Sequence, residues 1–178
     1  IAAIVQARMG STRLPGKVMK KIHNHTIIEI IINRLAQSSL LNEIIVATSD
    51  DSRNDLLEDH IKELGFICER GSENDVLSRF YDIANKHSID VIVRITGDCP
   101  FIDSSIVDNV ISNFLDGNKE YVSNVNPPSY PDGLDVEIFS YGALKTSHEK
   151  CTDLSLREHV TPYMKTGYYK GFRTGKFK

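Results

Sequence analysis

A chain of 178 residues, 40% hydrophobic and 25% charged, has the size and apolar content of one domain built on a single sizeable core. Its 21 lysines and arginines against 24 aspartates and glutamates give a formal net charge of -3, which excludes the basic excess of a general nucleic-acid or membrane-surface binder. An anionic ligand has to be held by a local cluster of cations.

The three cysteines, Cys68, Cys99 and Cys151, are odd in number, widely spaced and without a C-x-x-C pair. That pattern fits a reducing, cytoplasmic setting better than a disulfide framework or a zinc site. No apolar run approaches the roughly 18 residues that cross a bilayer, and residues 1–5 are too short for a signal h-region, so a soluble protein with no membrane partner is expected.

In chain order, the apolar run Ile1 to Val5 reads as a buried strand entering a long loop. Thr26-Ile-Ile-Glu29 has the form of a capping box and opens a helix to Ser38. Strands are then predicted at Glu43–Thr48, Phe66–Glu69 and Val91–Ile95. Between and after them, helices are predicted from Ser52 to Leu64, from about Asn74 to His87, and from Ser104 to Leu115 with Asp103 as N-cap. Near-continuous apolar strands alternating with helices predict an α/β fold, a mostly parallel, doubly wound sheet with helices on both faces, because parallel strands need crossovers.

Past Gly117 the pattern changes. Glu120–Val125 and Leu134–Phe139 flank a rigid Pro-rich stretch and predict a β-hairpin or arm, followed by helices near Tyr141–Lys150 and Leu156–Lys165 and a tail with no clear terminal element. The whole of 1–178 is expected to be one domain.

The segment Gln6-Ala-Arg-Met-Gly-Ser-Thr-Arg-Leu-Pro-Gly-Lys17 follows the first strand and so falls at the carboxyl edge of the sheet, where open α/β folds bind ligands. Gly10 lets backbone amides approach a phosphate, Ser11 and Thr12 add hydroxyls, and Arg8, Arg13 and Lys17 bring three cations into a dozen residues. Each cation alone would read as solvated; grouped with two glycines after a buried strand they read as a polyphosphate cradle. It is neither G-x-x-x-x-G-K-[ST] nor G-x-G-x-x-G, since five residues separate Gly10 from Gly16 and Lys17 precedes Val18.

Ala7 to Lys17 resembles the phosphate loop of the cytidylyltransferases that make CMP-activated acidic sugars, in particular the acylneuraminate cytidylyltransferase-like branch of spore-coat polysaccharide biosynthesis. Four further segments match in order: Gly71 to Phe80, Arg94 to Asp103, Pro131 to Phe139 and Arg157 to Tyr163. The resemblance implies a Rossmann-like nucleotide-diphospho-sugar transferase fold, CTP as donor, a small-molecule sugar as acceptor, Mg²⁺ as cofactor and a homodimer. It places the nucleotide on Gln6, Ala7, Arg8, Gly10, Ser11, Thr12, Arg13, Lys17 and Arg79, with Arg8, Arg13 and Lys17 acting in catalysis. It places the sugar near Arg94, Asp132, Asp135, Glu137, Arg157 and His159.

Asp98 ends an apolar strand and reads either as a turn-former before Pro100 or as the metal ligand that the resemblance makes it. Related enzymes carry a second metal carboxylate in a later segment that is not found before Lys178. Either the domain continues beyond Lys178, or Asp135 or Glu137 serves in its place. For Arg79, a salt bridge to Asp75 is the competing expectation, and for Arg157 an ion pair within its helix. Two other readings compete: a metal-dependent glycosyltransferase, whose D-x-D signature is absent, and a nucleotide-binding domain without catalysis.

Overall fold

Strand β1, Ala2–Gln6, has buried side chains pointing to both sides, and the fold follows from covering both. The computed structural model describes residues 1–11, 14–125, 127–165 and 171–177. After β1 come the two-residue strands β2, Lys21–Ile22, and β3, His25–Thr26, which pair with each other across a turn where His23 has a φ of 52°. Then follow α1, Ile27–Leu35; β4, Glu43–Ser49; α2, Asp55–Glu63; β5, Ile67–Gly71; α3, Val76–Lys86; β6, Val91–Thr96; and α4, Ser104–Asp116. The remainder holds β7, Tyr121–Ser123; β8, Glu137–Ser140; α5, Tyr141–Lys150; α6, Leu154–Glu158; α7, Pro162–Lys165; and β9, Thr174–Lys176.

The main sheet has the order β5-β4-β1-β6-β8-β7-β9. β1 pairs in parallel with β4 and β6, β8 runs antiparallel to both β6 and β7, and β9 is parallel to β7. Side-chain alternation divides the core into two layers. Ala3, Val5, Val46, Val93 and Ile95 pack with Ile31 and Ile32 of α1 and Val107, Val110 and Ile111 of α4. Ala2, Ile4, Ile45, Ala47 and Ile92 pack on the other face with Leu77, Phe80 and Ile83 of α3 and Leu144 of α5. A mostly parallel sheet covered on both faces is thus present, as the alternation of apolar runs predicts. No described helix is long and apolar enough to cross a membrane.

Several local expectations are corrected. Of the hairpin or arm expected over 120–139, the structure has the hairpin pairing: β7 and β8 run antiparallel within the sheet, with Val122 and Ile138 facing one core layer and Tyr121 and Phe139 the other. The helix expected over 156–165 is broken into α6 and α7. Val160 takes a left-handed φ of 65°, and Pro162 disfavours a helical conformation for the residue before it. The tail does end in an element, the edge strand β9.

The predicted capping box is present: Thr26 Oγ1 accepts from the Glu29 amide at 3.2 Å, and Glu29 Oε2 accepts from the Thr26 amide at 3.3 Å. Thr26 is buried and its hydroxyl also meets His60 Nε2 at 3.0 Å, tying α1 to α2. Thr26→Ala should lower unfolding free energy by about 1–2 kcal/mol and Thr26→Ser by much less, read from urea denaturation midpoints. Equal losses for both would remove the cap from the account.

Candidate active site

The order of strands puts a crevice where the chain reverses its winding, between the carboxyl ends of β1 and β6. Gly97, just past β6, donates its amide to the Gln6 carbonyl at 2.8 Å. A Cβ there would lie 3.0 Å from both Ala7 Cβ and the Gln6 carbonyl oxygen, so only glycine lets the two strand ends touch. That contact carries Asp98 to the loop that follows β1.

The loop itself is pinned at three points. The Met9 amide donates to Asn54 Oδ1 at 2.8 Å, and Asn54, buried, donates through Nδ2 to Ser49 Oγ at 2.7 Å at the end of β4. The Met9 carbonyl accepts from the amides of Ser11 and Gly16, each at 2.9 Å. Gly16 takes a φ of 66° and starts a 3-10 turn, Lys17–Met19, whose Val18 is buried in the core. Lys17 is thereby held facing Asp98.

The result is a cavity of about 330 Å³ lined by Gln6, Ala7, Arg8, Ser11, Lys17, Val18, Arg94, Thr96, Gly97, Asp98 and His159. Lys17 Nζ stands 2.7 Å from Asp98 Oδ2, and Arg8 Nη1 stands 2.9 Å from Glu73 Oε1. Burial works to raise the Asp98 carboxyl, but hydrogen bonds from Lys17 and Thr96 and the Lys17 charge outweigh it and hold the group below the usual aspartate range. The mouth of the crevice therefore presents an ionised carboxylate among cations.

A second cavity of about 260 Å³ adjoins it, lined by Arg94, Thr96, Val125, Asp135, Glu137 and Lys165. Glu137 is buried and accepts from Arg94 Nη1, from Lys165 Nζ at 3.1 Å, from Tyr121 Oη at 2.6 Å and from Thr161 Oγ1 at 2.8 Å. Arg94 Nη2 donates to Gln6 Oε1 at 3.0 Å. Burial opposes ionisation of Glu137, yet the charges of Arg94 and Lys165 with the Tyr121 and Thr161 hydroxyls keep its carboxyl below the ordinary glutamate range.

Of the residues expected to bind nucleotide, Gln6, Ala7, Arg8, Ser11 and Lys17 line the first cavity, as does Asp98. Gly10 sits in the same loop against Arg53 and Glu73. Thr12 and Arg13 lie outside the described residues. Arg79 does not reach the cavity. It is buried behind the end of β5, where its stem packs on Gly71, its Nη1 donates to the Ser72 carbonyl at 3.1 Å, and burial pulls its pKa down to about 10.

On the sugar side, Arg94 and His159 line the first cavity and Arg94, Asp135 and Glu137 the second. Asp132 is exposed on the turn before them. Arg157 lines neither cavity. It is buried as a brace, donating from Nε to Asp75 Oδ2 at 2.9 Å, from Nη2 to Ser78 Oγ at 2.9 Å, and from Nη1 to the carbonyls of His148 and Cys151 at 2.9 and 2.8 Å. Asp75, which caps α3, thus pairs with Arg157 rather than with Arg79.

Sequence reasoning missed Glu73, Asn54, Thr96 and Lys165. Glu73 had a signal, since it stands just past a strand end at the same sheet edge. Asn54 had none, because its role depends on the approach of two loops 45 residues apart.

A crevice at the switch point of a doubly wound sheet, edged by a glycine-containing cationic loop and a carboxylate, defines a phosphate-handling α/β nucleotide-binding domain. The sequence matches the cytidylyltransferase family over residues 2–170, and the chain belongs to that family of nucleotidyltransferases. It is 41% identical over 164 residues to an uncharacterized protein of Methanocaldococcus jannaschii, covering 92% of this chain and 66% of that one. It is 36% identical over 173 residues to the spore coat polysaccharide biosynthesis protein SpsF of Bacillus subtilis, covering 92% and 72%. A cytidylyltransferase structure from Leptospira borgpetersenii superposes with a TM-score of 0.94 at 36% identity, over 99% of this chain and 74% of that one. CMP:2-keto-3-deoxy-manno-octonic acid synthetase complexed with CTP shares the fold, with a TM-score of 0.76 at 17% identity over 99% and 89%.

The Glu137 cluster makes a stability prediction. Glu137→Gln leaves two cations without their counter-charge and should destabilise the domain by about 3–5 kcal/mol at neutral pH in urea denaturation. The folded carboxyl lies below its reference value of 4.5, so its contribution is complete above that pH and is lost as pH falls through the folded value. The gap between wild type and variant should narrow in strongly acidic buffer; a gap of constant size would show that charge is not its source.

Proposed function

We propose that the domain transfers CMP from CTP to a sugar hydroxyl, with release of pyrophosphate. The observation that carries this reading is the placement, at the switch point, of Lys17, Arg8 and an ionised Asp98 around one cavity, with Lys17 paired to Asp98. Family membership supplies the nucleotide, and the family resemblance adds an acidic sugar as the first expectation for the acceptor. Among the relatives are 3-deoxy-manno-octulosonate cytidylyltransferases, such as that of Pelobacter propionicus, 30% identical over 118 residues.

The chemistry asked of the protein is alignment and charge neutralisation. Lys17 and Arg8 exchange their present carboxylate partners for phosphate oxygens, and the Lys17 ammonium takes up negative charge as pyrophosphate leaves. The Ser11 hydroxyl, on the cavity lining, offers a further donor to the phosphate oxygens. The Gln6 to Arg94 to Glu137 chain fixes the wall that separates the donor and acceptor cavities.

Asp98 fits a Mg²⁺ ligand on three counts: it offers hard oxygen donors, it is held ionised, and it faces the phosphate loop. When bound, the ion supplies Lewis-acid neutralisation of phosphate charge. Only one or two protein carboxylates are required for such a site, with water and phosphate completing it.

The test is pyrophosphate release with magnesium, each of CTP, UTP, GTP, ATP and dTTP, and a panel of acidic and neutral sugars. CTP should be preferred, and Lys17→Ala should lower turnover by about 10²- to 10³-fold. Near wild-type turnover in that variant would refute the role of Lys17; no release from CTP with any sugar would refute the reaction.

A further inference from the structure

Arg79 is a buried cation without an ion pair among the described residues. Its side chain is 1% exposed, and although burial lowers its pKa to about 10 it stays protonated at neutral pH. Nη1 donates to the Ser72 carbonyl at 3.1 Å, while Nε is buried with no hydrogen-bond partner among the described residues. A guanidinium held inside a protein in this way is costly unless a counter-charge is at hand.

An acid stands one residue past that carbonyl. Glu73 pairs through Oε1 with Arg8 at 2.9 Å, and its Oε2 is likewise buried with no partner among the described residues. The Glu73 charge is felt at Arg79, where it opposes the lowering of the guanidinium pKa by burial. The same carboxylate lies against the phosphate loop, since a Cβ at Gly10 would sit 3.6 Å from Glu73 Oε1. Phosphate oxygens taken up by Arg8 would therefore arrive beside a negative charge, and like charges at that range repel. Arg53, the other cation beside Gly10, is already in a two-point pair with Asp51. Arg79 is the cation left with an unfilled donor.

We propose that Glu73 is a positioning residue that changes partner on nucleotide binding: in the empty site it holds Arg8 at the crevice, and when a triphosphate takes Arg8 it turns to the buried guanidinium of Arg79. The inference rests on the triphosphate site of the transferase reading and gives an internal arginine a part in it. Arg79 touches no nucleotide; it acts from behind the loop by receiving the displaced carboxylate. When the phosphates leave, Glu73 returns to Arg8 and competes with them for it.

A double-mutant cycle on CTP binding reads the coupling. Calorimetric titration with CTP and magnesium is run on the wild type, Arg79→Met, Glu73→Gln and the double variant. Arg79→Met removes the destination and should weaken CTP binding about 10-fold in the wild-type background, yet change it by less than about 2-fold once Glu73 is glutamine. Arg79→Lys, which keeps a cation there, should recover most of the loss. A loss of equal size in both backgrounds, or no loss in either, overturns the handover. A crystal structure of the wild-type domain with CTP and magnesium decides the matter without any variant: the Glu73 carboxylate is expected within hydrogen-bond distance of Arg79, and Glu73 still on Arg8 overturns the proposal. Failure of the wild type to bind CTP sinks the transferase reading and the handover together. Binding with the expected cycle but no pyrophosphate release from any sugar sinks the transferase reading and supports the handover.

Discussion

The site depends on how closely two strand ends can approach. β1 and β6 are neighbours in the sheet, but their following loops would be forced apart by any side chain at Gly97. With hydrogen alone at that position, the Gly97 amide reaches the Gln6 carbonyl, and the residue after it arrives beside the cationic loop. The Lys17 to Asp98 distance of 2.7 Å follows from that backbone contact.

In this arrangement the described cations of the site face carboxylates: Lys17 faces Asp98, Arg8 faces Glu73, and Arg94 with Lys165 faces Glu137. The first two pairs are partly exposed, with side chains between 24% and 49% accessible, and pairs of that kind hold their partners weakly. They can be exchanged for phosphate at little cost. The Glu137 cluster is different, since Glu137 is 5% accessible and opening the cluster would strand charge in the interior. One set of ion pairs is therefore suited to rearrangement and the other to keeping the wall fixed.

Much of this was legible in the chain because it rests on local patterns. Apolar runs such as Ile1 to Val5, the Thr26 to Glu29 box and the Asp103 cap each encode an element within a few residues, and their alternation implied the parallel sheet. The loop from Gln6 to Lys17 announced itself by composition. What stayed hidden is what depends on distant partners. Nothing near Arg157 says that Asp75, Ser78 and two carbonyls will enclose it, and nothing near Arg79 says that Gly71 will bury its stem. Both arginines looked like ligand contacts because a cation in a matched segment is more often exposed than used as an internal brace. The 156–165 helix failed for a local reason that could have been weighed, the proline at 162.

The reversed strand accounts for the polar half of the site. In a fully parallel sheet, residues leading into a strand lie at the edge opposite the ligand crevice. β8 runs against β6, so its approach, through Asp132 and Asp135, is delivered to the crevice edge. The register then sets Glu137 directly across from Arg94, on one face of the sheet, while β1 places Ile4 beside Arg94 and Gln6 two residues further along that face. Arg94 can thus reach Glu137 on one side and Gln6 on the other. A one-residue slip of β8 would turn Glu137 into the opposite apolar layer and leave Arg94 with Gln6 but without its carboxylate, so the energetics of this buried pair and the boundary between the two cavities are fixed by the same register.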